Sequence, residues 1–475
     1  MSFIRHKIIG NKSYAYEITS IWDKESKKTK TKSRYLGPVD PQSKEIKKFS
    51  KKVSLGKEKL ILDFGDAYFL NQFVISSDLY IALKEVFFDH YSEMIPLMIY
   101  RLCAQSAMYN CEEWMSGSVT AYLYKNISLS SQRISDFFNM LGNEDVQRSF
   151  FKAYLNFVGG CEKSVIIDAT SLPNQIHIDF NAWGHADGKI EKQFRFLCVL
   201  DQETKAPLFY RLLPGNIVDV NTLQTTINEL KAMGVNNSFV LIDAGYFSES
   251  NINELYKQEI NFLSRMPAGR KIYNNLILNH ADTVEALKHS YLIGERSYFA
   301  ISVEIDLYGN KGYAFLILDP ERKAKEIREL QQKYCNDPSE RDDNKDKFEF
   351  LSAGMMILVS SKPISVSEIV QSYYLRQSIE QVFGCAKSEL NLLPIRNHND
   401  KTVRGYLFFQ FILLIFYLKI KEKYLNQYTV EQLLLILRKL KCKVFDKQII
   451  PAEQTKKQRL IFEQEKILMP NSLGI

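Results

Sequence analysis

The sequence predicts an α/β chain of several domains, and three observations predict it. At 475 residues the chain exceeds what one hydrophobic core organises, so about two to four domains are expected. From 62 to 158 apolar residues recur at three and four, the helical period, as in LYIALKEVF and SEMIPLMIYRLCAQSAMY. From 163 to 266 short apolar runs bounded by turns give the order three strands, helix, strand, helix, strand, the alternation of an α/β layer.

Charged residues at 25% and hydrophobic residues at 45% make an ordinary globular mixture with ample material for a core. The balance of 62 basic and 55 acidic residues, net +7, is compatible with a nucleic-acid partner without requiring one. Seven cysteines, at 103, 111, 161, 198, 335, 385 and 442, are odd in number and form no CxxC pair, so neither a disulfide framework nor a zinc site is indicated. The opening MSFIRHKIIGNKSYAYE lacks the apolar core of a signal peptide. The most apolar run, LFFQFILLIFYL at 407–418, spans twelve residues and contains Gln410, which suits a buried helix better than a bilayer span. A cytoplasmic protein with no membrane partner is the expectation.

Residues 13–37 read as a hairpin, SYAYEITSIW and SRYLG around the polar turn DKESKKTKTK, with Trp22 and Tyr35 as inward anchors. The segment that follows carries Lys44, Lys47, Lys48, Lys51, Lys52, Lys57 and Lys59, and reads as a solvated linker or as an arm on a DNA backbone. Ser130 caps a helix containing Arg133, Ile134, Phe137 and Met140 that ends at Gly142. A preceding helix near 114–125 allows a helix-turn-helix-like arrangement, beside ordinary helix-on-helix packing.

At 163 the character changes. KSVIIDAT is an apolar strand ending at Asp168, and RFLCVLDQETKAPLFYRLL is two strands around a turn at Asp201–Thr204. LPGN makes a turn at 213–216, followed by an amphipathic helix with Val218, Leu223, Ile227 and Leu230 on its apolar side. NSFVLIDAG is a strand ending at Asp243, with a helix near 249–258 and the strand INFLSRM beyond. Residues 267–350 interrupt the pattern with strands in SYLIGERSYFAISVEI and KGYAFLILD and a charged helical or mobile stretch at 321–349. FLSAGMMILVS resumes a core strand, and Pro363 with Ser365 or Ser367 opens a helix. An apolar helix at 402–421, another near 429–440, and a polar tail with Lys456, Lys457 and Arg459 complete the chain.

The stretch Ser372 to Leu390 stands apart. Read as one helix, Tyr373, Arg376, Glu380 and Lys387 fall in a stripe about 60° wide, while Leu375, Ile379, Val382, Phe383, Ala386 and Leu390 form the face to be buried. A carboxylate beside a guanidinium, an ammonium and a phenol suits a surface that handles an anion. Asp168 and Asp243 on neighbouring strands, with Glu380 from a later helix, would form a cluster of like charges that raise one another's pKa. Divalent cations relieve that cost, and with no His or Cys set at hand the oxygen ligands favour Mg²⁺. Two such ions roughly 4 Å apart activate a hydroxyl nucleophile and stabilise the leaving oxygen of a phosphodiester. Arg376 and Lys387 would then hold neighbouring phosphates, and Tyr373 would bond a phosphate or stack on a base.

The spacing Tyr373-xx-Arg376-xxx-Glu380-xxxxxx-Lys387 matches the YREK signature of the IS4-type DDE transposases of bacterial insertion sequences. The resemblance continues in IDAT with Asp168, in APLFYRLLPGNIVDVNTL from Ala206 to Leu223, and in VLIDAGYFSESN around Asp243. The early YEITSIWDKESKK and RYLG make the chain most similar to the IS1634 branch. The resemblance implies an RNase H-like catalytic core, a mixed sheet flanked by helices, in two parts at 159–266 and 351–425, interrupted by a β-containing insertion domain at 267–350. Before it would stand a hairpin with a basic arm at 1–60 and a helical DNA-end-binding region at 61–158. After it would come a C-terminal helical region at 426–475 for dimerisation or DNA contact.

The resemblance makes Asp168, Asp243 and Glu380 the catalytic, metal-binding triad, with two Mg²⁺ per site and Mn²⁺ as a substitute. Tyr373, Arg376 and Lys387 become contacts to DNA-end phosphates. Members of the family cut one strand with water to free a 3′-OH, which close relatives turn on the opposite strand to form a hairpin before joining target DNA. The sequence does not show whether this chain forms the hairpin. The implied partners are double-stranded DNA, as terminal inverted repeats and target, and a second copy in a synaptic homodimer, in a bacterial cytoplasm and on the nucleoid when bound.

Departures from the pattern are Gln377 where a Trp is usual and Leu393-Pro394-Ile395-Arg396 for the common continuation. The insertion holds no Trp to stack on a flipped base, the three being Trp22, Trp114 and Trp183, so Tyr291, Tyr298, Phe299 and Tyr308 are the substitutes, against inward packing. Gly215, Asn216 and Asp219 match a GN-x-x-D turn, in which Asn216 and Asp219 shape the turn and cap the helix. Asp187 and Asp201 are spare carboxylates, and His177, His185 and Trp183 share a loop near the first Asp. The competing readings are a stand-alone RNase H-like nuclease, which needs the triad but not end joining, and a catalytically inactive DNA-binding descendant.

Overall fold

The computed structural model describes residues 2–9, 12–23, 28–39, 57–88, 90–158, 162–186, 188–217, 219–336, 343–396 and 399–474. Contacts divide the chain into two units, one of Met1–Leu60, Lys443–Ile450 and Ser472–Ile475, the other of Ile61–Cys442 and Pro451–Asn471. The boundaries read from the sequence at 158/159, 266/267, 350/351 and 425/426 fall inside the second.

The first unit opens with an antiparallel meander, β1 (Ser2–Ile9), β2 (Lys12–Asp23) and β3 (Lys28–Val39). β2 and β3 are the hairpin the alternation predicts, and β1 is a strand the sequence reading missed. Trp22 and Tyr35 are not inward anchors, being 59% and 43% exposed. Alternation assigns a residue to a face but does not say what covers that face. Lys44, Lys47, Lys48, Lys51 and Lys52 lie outside the described residues, while Lys59 pairs with Asp446 at 3.2 Å.

After β4 (Leu60–Asp63) the helical period gives helices at Gly65–Ile75, Asp78–Val86, Tyr91–Ala104, Ser131–Leu141 and Glu144–Val158. Ser130 caps the fourth by accepting from the Arg133 amide, and Gly142 ends it, as its sequence requires. This helix packs on the helix Asp400–Tyr424, with Phe138 5.7 Å from Tyr406 and 5.4 Å from Phe409 between ring centroids, so this face makes ordinary helix-on-helix packing. The crossing is close. A Cβ on Gly405 would stand 1.7 Å from the Phe138 carbonyl oxygen, so only glycine allows it.

The main sheet contains β5 (Glu162–Pro173), β6 (Ala182–Ala186), β7 (Lys189–Asp201), β8 (Pro207–Pro214), β9 (Asn236–Ile242) and β10 (Asn261–Arg265). Val165, Ile166 and Ile167 are fully buried, as a run apolar on both faces should be in a strand covered on both sides. β5 pairs antiparallel with β7, and β7 with β8, while β9 lies parallel to β5 and β10 parallel to β9. The resulting order β8-β7-β5-β9-β10, with helices Leu223–Ala232 and Glu249–Lys257 in the crossovers, is the RNase H-like arrangement. Val218, expected on the apolar side of the first crossover helix, lies outside the described residues.

β11 (Ser290–Ile293), β12 (Arg296–Leu307) and β13 (Asn310–Leu318) continue the same sheet, because β13 pairs with β14 (Met355–Ser360) and β14 with β10. The charged stretch is helical at Pro320–Asn336 and Asp343–Ser352, and 337–342 lie outside the described residues. The helix expected near 429–440 is Val430–Arg438, and the polar tail is itself helical at Lys456–Gln464; capping boxes open both, Thr429/Gln432 and Thr455/Gln458.

Among the described residues one helix, Asp400–Tyr424, is long and apolar enough to cross a membrane by length and composition, and 83% of its most apolar window is buried. It is apolar all round because it is a core helix. Phe408 meets Phe150 at 5.3 Å, Phe411 meets Tyr210 at 4.9 Å, and Phe151 meets Phe209 at 4.8 Å, so helices before the sheet, the sheet and this helix share one aromatic core. Gly405→Val should lower stability by about 3 kcal/mol through overpacking, read as a lower urea midpoint at unchanged slope.

Candidate active site

The register of two parallel strands brings the first two carboxylates together. Ile167 on β5 lies opposite Ile242 on β9, so the next residue on each, Asp168 and Asp243, are neighbours. Asp243 follows the end of its strand as predicted, with extended backbone. Asp168 does not end its strand, because β7 keeps pairing with β5 as far as Pro173 and places Asp168 opposite Cys198.

The stripe residues do not lie on one continuous α-helix. Val366–Tyr374 and Gln377–Gly384 are separate helices with a turn at Leu375 and Arg376, and Cys385–Glu389 is a wider π turn. Arg376 lies in this turn, with its side chain on the sheet carboxylates. One Nη stands 2.8 Å from Asp168 Oδ2 and 3.9 Å from Asp243 Oδ2, and the other stands 2.7 Å from Glu380 Oε1. Three carboxylates from a strand, a strand end and a helix thus share one guanidinium. Burial opposes the charge on Arg376, but Asp243 and Asp168 outweigh it and raise its pKa above the ordinary value.

Tyr373 was expected on the exposed polar stripe, and is buried instead. Its hydroxyl donates to Asp243 Oδ1 at 3.0 Å, and its ring lies 5.9 Å from the Arg376 guanidinium. Burial, then Asp243, pushes its pKa well up, so it stays a donor. Lys387 Nζ donates to Thr170 Oγ1 at 2.8 Å, and Thr170 shares a face of β5 with Asp168 two residues before it. The face expected to be buried is buried at Ile379, Val382, Phe383, Ala386 and Leu390, with Leu375 half-buried at the break.

Two contributors escaped the sequence reading. Thr170 was marked only by the two-residue spacing. Arg101, from the helix Tyr91–Ala104, is buried and donates to the carbonyls of Leu390 at 3.0 Å and Asn391 at 2.7 Å, which holds the chain just past Lys387. Nothing in its own segment signals a partner nearly three hundred residues away.

Other singled-out residues stand elsewhere. Asp201 forms a turn, accepting from Glu203 and Thr204 amides and pairing with Lys163 at 2.8 Å, and Asp187 lies outside the described residues. Trp183 and His185 lie on β6 rather than in a loop, because the segment pairs with the start of β7; His177 is exposed in the loop before it. Thr222, not Asp219, is the cap position of the helix after the GN turn, since Asp219–Asn221 forms a 3-10 turn first. Tyr298 packs inward, its hydroxyl 3.4 Å from that of Tyr374.

The donor set suits a hard divalent cation. Three carboxylates and one guanidinium leave a formal charge of about −2, all the ligand atoms are oxygens, and the Asp168 and Glu380 oxygens already take a cation. Among the described residues no group of three His, Cys, Asp or Glu is spaced to hold a metal, since these carboxylates are spaced around a guanidinium. Tyr373→Phe should cost about 2 kcal/mol, the worth of a hydrogen bond to a charged group. An unfolded tyrosine ionises near pH 10 and the folded one higher, so the difference from the parent should hold below about pH 10 and shrink above it. Urea unfolding across pH checks both.

A family model described as a transposase DDE domain matches residues 159–416. No curated protein matches the chain. Among solved structures it is similar to the piggyBac transposase synaptic complex with hairpin DNA, at 11% identity over 79% of each chain with a TM-score of 0.38. It is also similar to the Drosophila P element transposase strand transfer complex, at 10% identity over 75% of this chain and 89% of that one with a TM-score of 0.17. The family match spans both halves of the sheet and all three carboxylates, and the chain belongs to the DDE transposases, enzymes that cut and transfer DNA with divalent metal ions.

Proposed function

We propose that the chain is an IS4-type insertion-sequence transposase, nearest the IS1634 branch, which binds element ends as a homodimer in a bacterial cytoplasm. It would hydrolyse a phosphodiester with Mg²⁺ and join the freed 3′-OH to a target phosphodiester, whose own 3′ oxygen leaves. The observation that carries this reading is the convergence of Asp168, Asp243 and Glu380 on the Arg376 guanidinium. Carboxylates gathered at one point repel and raise one another's pKa unless a cation stands among them, and three acids exceed what one guanidinium neutralises.

In this reading Asp168, Asp243 and Glu380 would hold two Mg²⁺, with Mn²⁺ as a substitute. When bound, the ions supply Lewis-acid activation of the attacking hydroxyl and stabilisation of the leaving oxygen. Tyr373 orients Asp243 by its hydrogen bond. Arg376 has a planar fork that suits a DNA phosphate as well as a carboxylate and would serve as a phosphate contact. Lys387, steadied by Thr170, adds a point charge for a neighbouring one.

The test uses the purified chain with DNA from the flanks of its gene. Asp168→Ala, Asp243→Ala and Glu380→Ala should each lower Mg²⁺-dependent cleavage on the order of 10³-fold or more, with end binding retained. Cleavage surviving in Asp243→Ala would sink the assignment. Joined products separate a transposase from a nuclease that only cuts. Lys387→Ala should weaken end binding and lower the slope of log affinity against log salt by about 0.9, one phosphate contact.

A further inference from the structure

The meander of the first unit carries a surface that the catalytic reading does not use. β1, β2 and β3 are rich in Lys and Arg, and register sorts these by face: Lys30, Lys32 and Arg34 lie on the side away from Tyr35, Arg5 and Lys7 on the side of Tyr16. Arg5 lies opposite Tyr16, and Tyr16 opposite Tyr35; Lys7 lies opposite Tyr14 on the same side. Tyr16 and Tyr35 have centroids 5.3 Å apart, Tyr14 and Tyr35 6.1 Å, and the Lys7 ammonium is 5.8 Å from the Tyr16 ring. Trp22, an even number of residues from Tyr16, shares the face at its far end and is 59% exposed.

We propose that this face binds single-stranded DNA, with bases stacked on Tyr16, Tyr35 and Trp22 and the backbone held by Arg5 and Lys7. Burying so many large rings inside would stabilise the fold, yet Tyr35 remains 43% exposed and Trp22 more so. A second copy of the same face is disfavoured, because it would bring like charges together. The basic side chains call for a polyanion, and the interleaved rings call for one that offers flat π faces. A duplex keeps those faces inside its own stack, so an unpaired strand is the fitting occupant. The proposal rests on residues 2–39, outside the family match at 159–416, and needs no metal.

The experiment measures fluorescence anisotropy of labelled strands on the full chain in EDTA. Three probes are compared: a twelve-nucleotide oligo(dT), an abasic strand of the same length, and a duplex of the same length. Stacking of one or two bases should make oligo(dT) bind on the order of 10- to 100-fold tighter than the abasic strand. Trp22→Ala with Tyr35→Ala should bring that ratio close to one while abasic binding holds. Trp22→Phe with Tyr35→Phe should keep the ratio, which separates lost stacking from lost folding. Lys7→Ala should weaken both single strands and lower their salt slope by about 0.7. Equal binding of oligo(dT) and abasic strand by the parent, or a ratio unchanged in the double alanine variant, overturns the proposal. So does a duplex whose binding falls as much as that of oligo(dT) in that variant. Cleavage at the carboxylates is scored separately and stands or falls without it.

Discussion

Three carboxylates gathered at one place would repel one another, and the guanidinium of Arg376 is what lets them stand together. Its two amino groups reach Asp168 and Glu380 in one plane, with Asp243 slightly farther. A lysine would meet two oxygens from a single nitrogen, without the planar fork that fixes their geometry. The remaining negative charge is left for a cation. An arginine in this position also limits the cost of holding the acids close while no metal is bound.

The scaffold around that contact has two parts. Backbone register between β5 and β9 sets Asp168 beside Asp243, and the close packing of Ile166 and Ile167 on the two covered faces of the sheet holds that register. The helical side is set by tertiary packing instead. Ile379, Val382 and Phe383 anchor the Glu380 helix from below, Tyr373 is buried against Asp243, and Arg101 fastens the chain after Lys387. Arg101 comes from the helices that precede the sheet. Those helices therefore support the catalytic region directly, through the aromatic core around Phe150, Phe151 and Phe408.

Strands at 290–318 also bear on the site, because β13 and β14 extend the sheet from β10, and Tyr298 on β12 reaches Tyr374 beside the Arg376 turn. An insertion read from sequence as an interruption is structurally a widening of the same sheet. Sequence spacing gives no information about backbone pairing across a gap of this length.

Much of the arrangement was legible in the chain itself. Apolar runs ending in Asp243, the cap at Ser130, the turn at Asp201–Thr204 and the spaced residues from Tyr373 to Lys387 are local signals, and local chemistry decides them. Periodicity could not foresee that Arg376 sits in a break between two helices, or that Tyr373 faces inward to a carboxylate. It also set Trp22 and Tyr35 inward, where the fold leaves them in solvent. The sequence by itself determined which side chains are the candidates for the chemistry and on which strands and helices they ride. Only the tertiary structure decided that one guanidinium joins three acids and that Thr170 and Arg101 stand behind Lys387, because such contacts link residues hundreds of positions apart and depend on register and packing that no local pattern encodes.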